Sequence, residues 1–183
     1  IIARARHEQG TLKGPVVGTV LSNLGLEHAL AALGIPFRRA KVGDRHVLEM
    51  LRDLDGIVGG ETSGHILCLD RATTGDGIVS ALQVLAVMCA TGKSLAELAT
   101  VMTKYPQVMI NVAVARRIDP LTVPAIAEAV AGAEAQLANR GRVVLRASGT
   151  EPLIRVMVEG EERGEVREIA ESLAATVRAA AAG

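Results

Sequence analysis

The first sixty residues alternate short apolar runs with amphipathic segments, and this alternation narrows the folds that the chain can adopt. Residues 16–21 form a nearly continuous apolar run, which is typical of a strand buried on both faces of a sheet. Further strands are predicted at 37–42 and 57–60, with one helix in each interval. The order strand–helix–strand–helix–strand predicts a parallel α/β unit with right-handed crossovers.

The pattern changes after residue 106. Strands are predicted at 108–114 and on both sides of a polar turn at 146–152, and helices at 123–138 and near the C-terminus. We therefore predict an α/β chain, in which a three-layer parallel-type α/β domain is followed by a small α+β domain with an antiparallel sheet. The predicted divisions are a first domain at 1–92, a connector at 93–106 and a second domain at 107–183.

Composition excludes several classes of protein. Apolar residues make up 49% of the chain, which indicates a globular fold rather than a disordered one. The 20 basic and 20 acidic residues are interspersed, and aromatic residues are scarce, so we expect neither nucleic acid nor a membrane as a partner. Cys68 and Cys89 lie in apolar sequence without C-x-x-C spacing, so we expect buried reduced thiols and a cytoplasmic location.

The polar turn at 146–152 carries the groups that bind phosphate. Gly149 allows backbone N–H groups to converge on one anion, and Ser148 and Thr150 add hydroxyl donors. Arg146 contributes a planar fork that matches phosphate oxygens, and Arg155 lies close enough along the next strand to reach the same anion. The pattern predicts a phosphate clamp. Composition alone leaves a solvated turn open as the alternative.

A family resemblance supports the clamp. The segment RASGTEPLIR, at 146–155, resembles the phosphate-binding loop in the last domain of the α-D-phosphohexomutases, and the VMVEG that follows is most similar to their phosphoglucosamine mutase branch. Further segments are similar to that branch in the same order: VVGTVLSNLGLEHAL, RAKVGDRHVLEM, GGETSGHIL, TTGDGIVSALQVL and YPQVMINV. The family's proteins have four domains, and this chain resembles only the third and fourth, the C-terminal half. The opening at Ile1, which reads as the body of a helix, also indicates a fragment.

The resemblance implies roles for two further loops. It makes GGETSGH the sugar-recognition loop, in which Glu61 and Ser63 bind sugar hydroxyls and His65 lies near the substrate. It places Lys41 and Arg45 in a loop that faces the reacting phosphate. We therefore expect Glu61, Ser63 and His65 to bind substrate. Lys41, Arg45 and His65 are expected auxiliary groups, of which Lys41 and Arg45 stabilise transferring charge.

Catalysis itself is expected from domains that this chain lacks. The resemblance implies that the full-length enzyme interconverts glucosamine 6-phosphate and glucosamine 1-phosphate for UDP-N-acetylglucosamine and cell-wall synthesis. It does so through a phosphoserine and a glucosamine 1,6-bisphosphate intermediate, with magnesium. The phosphoserine belongs to the family's first domain and the magnesium loop to its second. We therefore expect the chain alone to be inactive, with no catalytic residue and no metal site, and to depend on the absent N-terminal domains. The resemblance also suggests a homodimer.

Asp44 and Asp76 are each predicted to cap a helix, and Asp76 is a weak magnesium ligand because it stands alone among glycines.

Two other functions stay open. The first alternative function is a phosphomannomutase or phosphoglucomutase. The second is a non-catalytic module that binds phosphosugars.

Overall fold

The structure is a computed structural model that describes residues 1–115, 119–148 and 151–182. The chain forms two compact units, Ile1–Lys104 and Tyr105–Gly183. The division falls inside the segment at 93–106, whose role as a connector stays a prediction.

The first unit contains a four-stranded sheet and five helices. The strands are β1 (Val16–Thr19), β2 (Phe37–Ala40), β3 (Val58–Gly60) and β4 (Ile66–Cys68). The helices are α1 (Ile2–Glu8), α2 (Leu24–Ala32), α3 (Asp44–Asp53), α4 (Gly77–Thr91) and α5 (Leu95–Ala99). The strand order is β2-β1-β3-β4, in which β1 is parallel to β2 and β3, and β4 is antiparallel to β3.

Helices cover both faces of this sheet. Val16 and Val17, neighbours in β1, point to opposite faces and are 6% and 0% exposed, as expected for a strand buried on both sides. Val16 belongs to an apolar cluster with residues of α1, α2 and α4, whereas Val17 belongs to a second cluster with residues of α3. The predicted three-layer α/β domain is confirmed.

Side-chain caps fix the starts of three helices in this unit, namely α2, α4 and, through Ser94, α5. The Asn23 carboxamide oxygen accepts from the N–H of Gly25 at 3.1 Å at the start of α2. The Asp76 carboxylate accepts from the N–H groups of Ile78 and Val79 at 2.8 and 2.9 Å at the start of α4. The prediction of a cap at Asp76 is therefore confirmed.

The start of α3 differs from the prediction by one residue. Gly43 is the capping position, with φ +125°, a backbone conformation that side chains with a Cβ rarely adopt. Asp44 is the first residue of the helix, where its carboxylate accepts from the N–H of Arg45 at 2.8 Å. The prediction that Asp44 is the N-cap is wrong, because the turn into α3 requires the glycine.

Helix α4 is far less buried than its composition suggests. Ser80 is the one buried residue of α4, and Val84 packs against the apolar cluster on the sheet. Cys89 is exposed, whereas Cys68 at the end of β4 is buried. The prediction of a buried thiol is confirmed for Cys68 and wrong for Cys89, because the apolar stripe with Cys89 faces away from the sheet.

The second unit contains a three-stranded sheet and two long helices. Its strands are β5 (Gln107–Ala113), β6 (Gly141–Ala147) and β7 (Leu153–Gly160), and its helices are α6 (Pro124–Leu137) and α7 (Arg163–Ala182). Two 3-10 turns, Pro120–Thr122 and Ala138–Arg140, flank α6. The sheet is antiparallel with the order β5-β7-β6, which confirms the predicted α+β fold.

The central strand β7 separates an apolar face from a mixed one. Ile154, Val156 and Val158 are fully buried in the core that α6 and α7 form against the sheet. Because side chains alternate along a strand, Arg155 and Glu159 project from the opposite face. Several charged groups of the second unit therefore lie on the face away from its helices.

Candidate functional site

Two arginines lie directly opposite each other on the mixed face of the second unit. Arg146 near the end of β6 pairs with Arg155 of β7, and Arg155 also pairs with Asn111 of β5. Cross-strand partners project from the same face of a sheet, so these side chains form one row across all three strands. Asn111 was not predicted as a site residue, because an isolated Asn in an apolar run carries no signal until the register is known.

The two guanidinium groups have unused donors. The Nε atoms of Arg146 and Arg155 are buried and have no hydrogen-bond partner within the described residues. A carboxylate oxygen of Glu151 lies 3.8 Å from a terminal nitrogen of Arg155. Burial, and secondarily the positive charge of Arg155, lower the pKa of Arg146. Buried donors are normally satisfied, and two cationic donors on one sheet face without partners among the described residues can donate to an anion.

Ser148 holds the start of the turn that follows β6. It is 4% exposed, and its N–H donates to the Leu153 carbonyl at 2.8 Å. Its hydroxyl oxygen accepts from the N–H of Glu151 at 3.4 Å, and a hydroxyl that accepts in this way can also donate. The predicted ligands Gly149 and Thr150 lie outside the described residues.

The loop between β3 and β4, predicted to recognise a sugar, is a tight turn in the first unit. The Glu61 N–H donates to the His65 carbonyl at 2.9 Å, and the Gly64 N–H donates to the Glu61 carbonyl at 3.1 Å. Gly64 has φ +98°, which favours glycine at this position. Ser63 and His65 are exposed at the tip of the turn. Their side chains are therefore accessible to a polar ligand.

Glu61 joins this turn to the loop that precedes α3. Its carboxylate oxygen Oε1 accepts from the N–H of Gly43 at 2.8 Å. The loops at 41–45 and 61–65 therefore meet at the carboxyl ends of β2 and β3, the edge where ligands bind in parallel α/β sheets. One carboxylate oxygen fixes the loops, and the carboxylate retains capacity to accept from a ligand.

The two cations of the loop at 41–45 are in different situations. Lys41 is exposed, and Arg45 is 82% exposed by side chain and donates to Glu49 at 2.8 Å, one turn along α3. An exposed pair of this kind contributes little to stability and is easily exchanged for another anion. The auxiliary roles predicted for Lys41, Arg45 and His65 stay predictions.

Within 1–115, 119–148 and 151–182, no group of three His, Cys, Asp or Glu side chains could hold a metal ion. The same stretches contain no helix that is long and apolar enough to cross a membrane.

Comparisons with known proteins match both units. The alpha/beta/alpha domain III of phosphoglucomutase/phosphomannomutase matches residues 1–105, and the C-terminal domain of the same family matches residues 109–176. A phosphoglucosamine mutase of Alkalilimnicola ehrlichii is 59% identical over 180 residues, which are 98% of this chain and 40% of that protein. One of Methylococcus capsulatus is 58% identical over 177 residues, 97% of this chain and 40% of that protein. The chain thus spans about 40% of the length of these relatives.

Solved structures share the fold. An N-acetylphosphoglucosamine mutase of Aspergillus fumigatus superposes with a TM-score of 0.83 at 24% identity, over 98% of this chain and 41% of the other. The same enzyme in complex with GlcNAc-6P and magnesium gives a TM-score of 0.82 at 24% identity, over 98% and 41% of the two chains.

Proposed function

Because the chain belongs to the phosphoglucomutase/phosphomannomutase family, as its domain III and C-terminal domain, we propose that it is the substrate-holding half of a phosphoglucosamine mutase. The full-length enzyme interconverts glucosamine 6-phosphate and glucosamine 1-phosphate in the cytoplasm, on the route to UDP-N-acetylglucosamine. The observation that carries the proposal is the pair of opposed arginines with buried, unused donors. The phosphoglucosamine mutase relatives at 58% and 59% identity support the choice of substrate.

The second unit recognises phosphate. Arg146 and Arg155 donate charge-assisted hydrogen bonds to phosphate oxygens, and the anion relieves the repulsion between the two cations. Ser148 donates its O–H, and Gly149 and Thr150 complete the clamp with backbone and hydroxyl donors. A phosphate looks the same to these donors whichever sugar carbon carries it, and a mutase that holds both isomers needs that tolerance.

The first unit recognises the sugar. Glu61 accepts from vicinal hydroxyls or from the ammonium group of glucosamine, and Ser63 and His65 add exposed polar groups on the same turn. Lys41 and Arg45 stabilise the negative charge that moves during phosphoryl transfer. Because the Glu61 carboxylate also holds Gly43, sugar binding and the position of this cationic loop are coupled.

The chemistry of transfer belongs to the rest of the full-length protein. A phosphoserine donates its phosphoryl group to the substrate, the glucosamine 1,6-bisphosphate intermediate turns over, and the second phosphate returns to serine. The side chains described here do not fit a magnesium site, and the carboxylate of Asp76 is engaged with two N–H groups of α4. We therefore assign no step through magnesium to this chain, which holds substrate and is inactive alone.

Calorimetric titration of the chain with glucosamine 6-phosphate and with inorganic phosphate tests the proposal. Arg155→Met should weaken binding of both ligands by about 10- to 100-fold, the effect of losing hydrogen bonds from a charged group. Glu61→Ala should weaken binding of the sugar phosphate alone. Glu49→Ala is the matched control, since it removes an exposed carboxylate of the same unit that pairs with Arg45.

Three results would contradict the proposal. Failure of the unaltered chain to bind either ligand would show that it is not an autonomous substrate-holding half. Unchanged phosphate affinity in Arg155→Met would remove the clamp. Equally tight binding of mannose 6-phosphate or glucose 6-phosphate would favour a phosphomannomutase or phosphoglucomutase instead.

A further inference from the structure

Helix α4 has a composition that the first unit alone does not explain. Its sequence, GIVSALQVLAVMCAT from Gly77 to Thr91, contains no Asp, Glu, Lys or Arg. A helix that is apolar on all sides is normally buried on all sides. Yet Ser80 is the one buried residue of α4. The composition is that of an interior helix, whereas the environment is that of a surface helix.

The exposed apolar residues of α4 form one continuous stripe, which we call the α4 face. Ile78, Leu82 and Leu85 are 75%, 54% and 50% exposed, and Cys89 is also exposed. Their spacing of four, three and four residues places them on one side of a helix. Ala81, Ala86 and Ala90 are exposed beside them. Adjacent large aliphatic side chains at this exposure mark an interaction surface rather than the scattered apolar residues of an ordinary surface.

The α4 face resembles the core of a permanent interface. Interfaces that form only transiently are about as polar as the rest of a protein surface, whereas the buried centre of an obligate interface is depleted of charge and rich in aliphatic groups. The α4 face carries no charge over the twelve residues from Ile78 to Cys89. Its occupant must therefore also present an uncharged apolar surface, since a charged side chain placed against it would lose its hydration without gaining a partner.

We propose that the α4 face is covered by the polypeptide that precedes domain III in the full-length protein. The chain spans about 40% of the length of its relatives and includes the family's C-terminal domain, so the unmatched length of those relatives lies before domain III. Helix α1, at the start of the matched stretch, packs against α4, so a polypeptide that enters α1 arrives close to α4. The inference rests on the proposed full-length enzyme but not on which sugar it binds.

Cys89 provides a native reporter for the test. It lies on the α4 face and is exposed, whereas Cys68 is buried, and burial raises the pKa of the Cys68 thiol. In the 183-residue chain, a water-soluble maleimide should modify Cys89 and spare Cys68. In the full-length protein, the rate of Cys89 modification should be lower than in the 183-residue chain by about tenfold or more, because the thiol would react only after local opening. Peptide mapping by mass spectrometry measures this rate. No substrate is present, so failure of the proposed function does not affect the result.

The protection should not depend on protein concentration. A preceding domain of the same polypeptide protects Cys89 equally over about a hundredfold range of concentration, whereas a second copy protects it only when the protein is concentrated. Equal modification rates in the two forms, protection that disappears on dilution, or a gene that encodes nothing before residue 1 would each overturn the proposal.

A charge placed on the α4 face gives an independent measurement. Leu82→Asp should leave the denaturation midpoint of the 183-residue chain nearly unchanged, because Leu82 is already 54% exposed, and should lower the midpoint of the full-length protein. Leu121→Asp is the matched control, since Leu121 is 53% exposed and lies in the other unit. Equal shifts from Leu82→Asp in the two forms would overturn the proposal even if the labelling result agreed with it.

Discussion

Replacing Arg146 by Met should stabilise the chain in phosphate-free buffer and destabilise it, relative to the parent, when phosphate is present. Arg146 lies opposite Arg155 in the β6–β7 register, and both Nε donors are buried without a partner among the described residues. Like charges directly opposite each other and unsatisfied buried donors both reduce stability. Methionine keeps an unbranched side chain but removes the charge and the donors. We expect the free energy of unfolding to rise by about 1 kcal/mol.

Phosphate should reverse this order at a predictable concentration. A ligand that binds only the folded state stabilises it by RT ln(1 + [L]/Kd), which reaches 1 kcal/mol when phosphate is about four times the Kd of the parent chain. Loss of Arg146 weakens phosphate binding by about 1.5–3 kcal/mol, so the variant gains almost nothing at that concentration. Urea unfolding curves of both chains should therefore cross near this point, with Kd measured independently by calorimetry.

Arg142→Met is the matched control for this crossing. Arg142 lies on the same strand and the same face, but its guanidinium donates to the carboxylate of Glu159, which is fully buried. Removing a partner from a buried carboxylate should destabilise the chain by up to about 3 kcal/mol at every phosphate concentration. If Arg146→Met destabilises the phosphate-free chain as the control does, Arg146 has a structural role and the clamp is wrongly assigned.

Two further predictions each compare two variants of the chain. Gly25→Ala should destabilise the chain by about 1–3 kcal/mol, because a Cβ on Gly25 would lie 1.9 Å from the carbonyl oxygen of Thr103. Gly132→Ala, in open space within α6, should instead stabilise the chain by about 0.5–1 kcal/mol. Thermal unfolding of both variants checks this, and stability changes of the same sign would contradict it. Hydrogen bonds from the Ser94 side chain, and secondarily from its backbone, lower the pKa of Glu97. The capping box therefore stabilises α5 when the pH is above the pKa of this carboxyl in the unfolded chain, and the stabilisation is lost as the pH falls through the lowered pKa of the folded chain. An NMR titration of Ser94→Ala should show a higher pKa for Glu97, and an unchanged pKa would contradict the assignment.

The fold was predictable because its strands and helix starts depend on local chemistry. An apolar run identified β1 as a buried strand, since such a run fits a sheet that is covered on both sides. The cap at Asp76 was recognisable because a cap satisfies N–H groups two or three residues away. Gly43 was missed as the cap of α3 because its role comes from a backbone angle, and not from a side chain.

The candidate site was predictable only in part. The resemblance to the family is confirmed, and it directs attention to Arg146 and Arg155. The row that joins these two residues to Asn111 depends on the register of β5 and β7, which are more than forty residues apart in sequence. Likewise, the hydrogen bond from Gly43 to Glu61 joins two loops on different strands. Contacts between distant segments follow from sheet order, which the periodicity of one strand does not contain.

The error at Cys89 and the unused donors at the clamp have a common physical origin. A folded chain ordinarily satisfies its buried donors and buries its large apolar side chains, and departures from both rules concentrate at places where something else binds. Arg146 and Arg155 break the first rule on one sheet face, and the uncharged helix α4 breaks the second. The apolar sequence around Cys89 indicated contact with an apolar surface but could not tell which surface covers it. The first departure predicts an anionic partner and the second predicts an apolar one, so each departure indicates the chemistry of the partner that we propose for it.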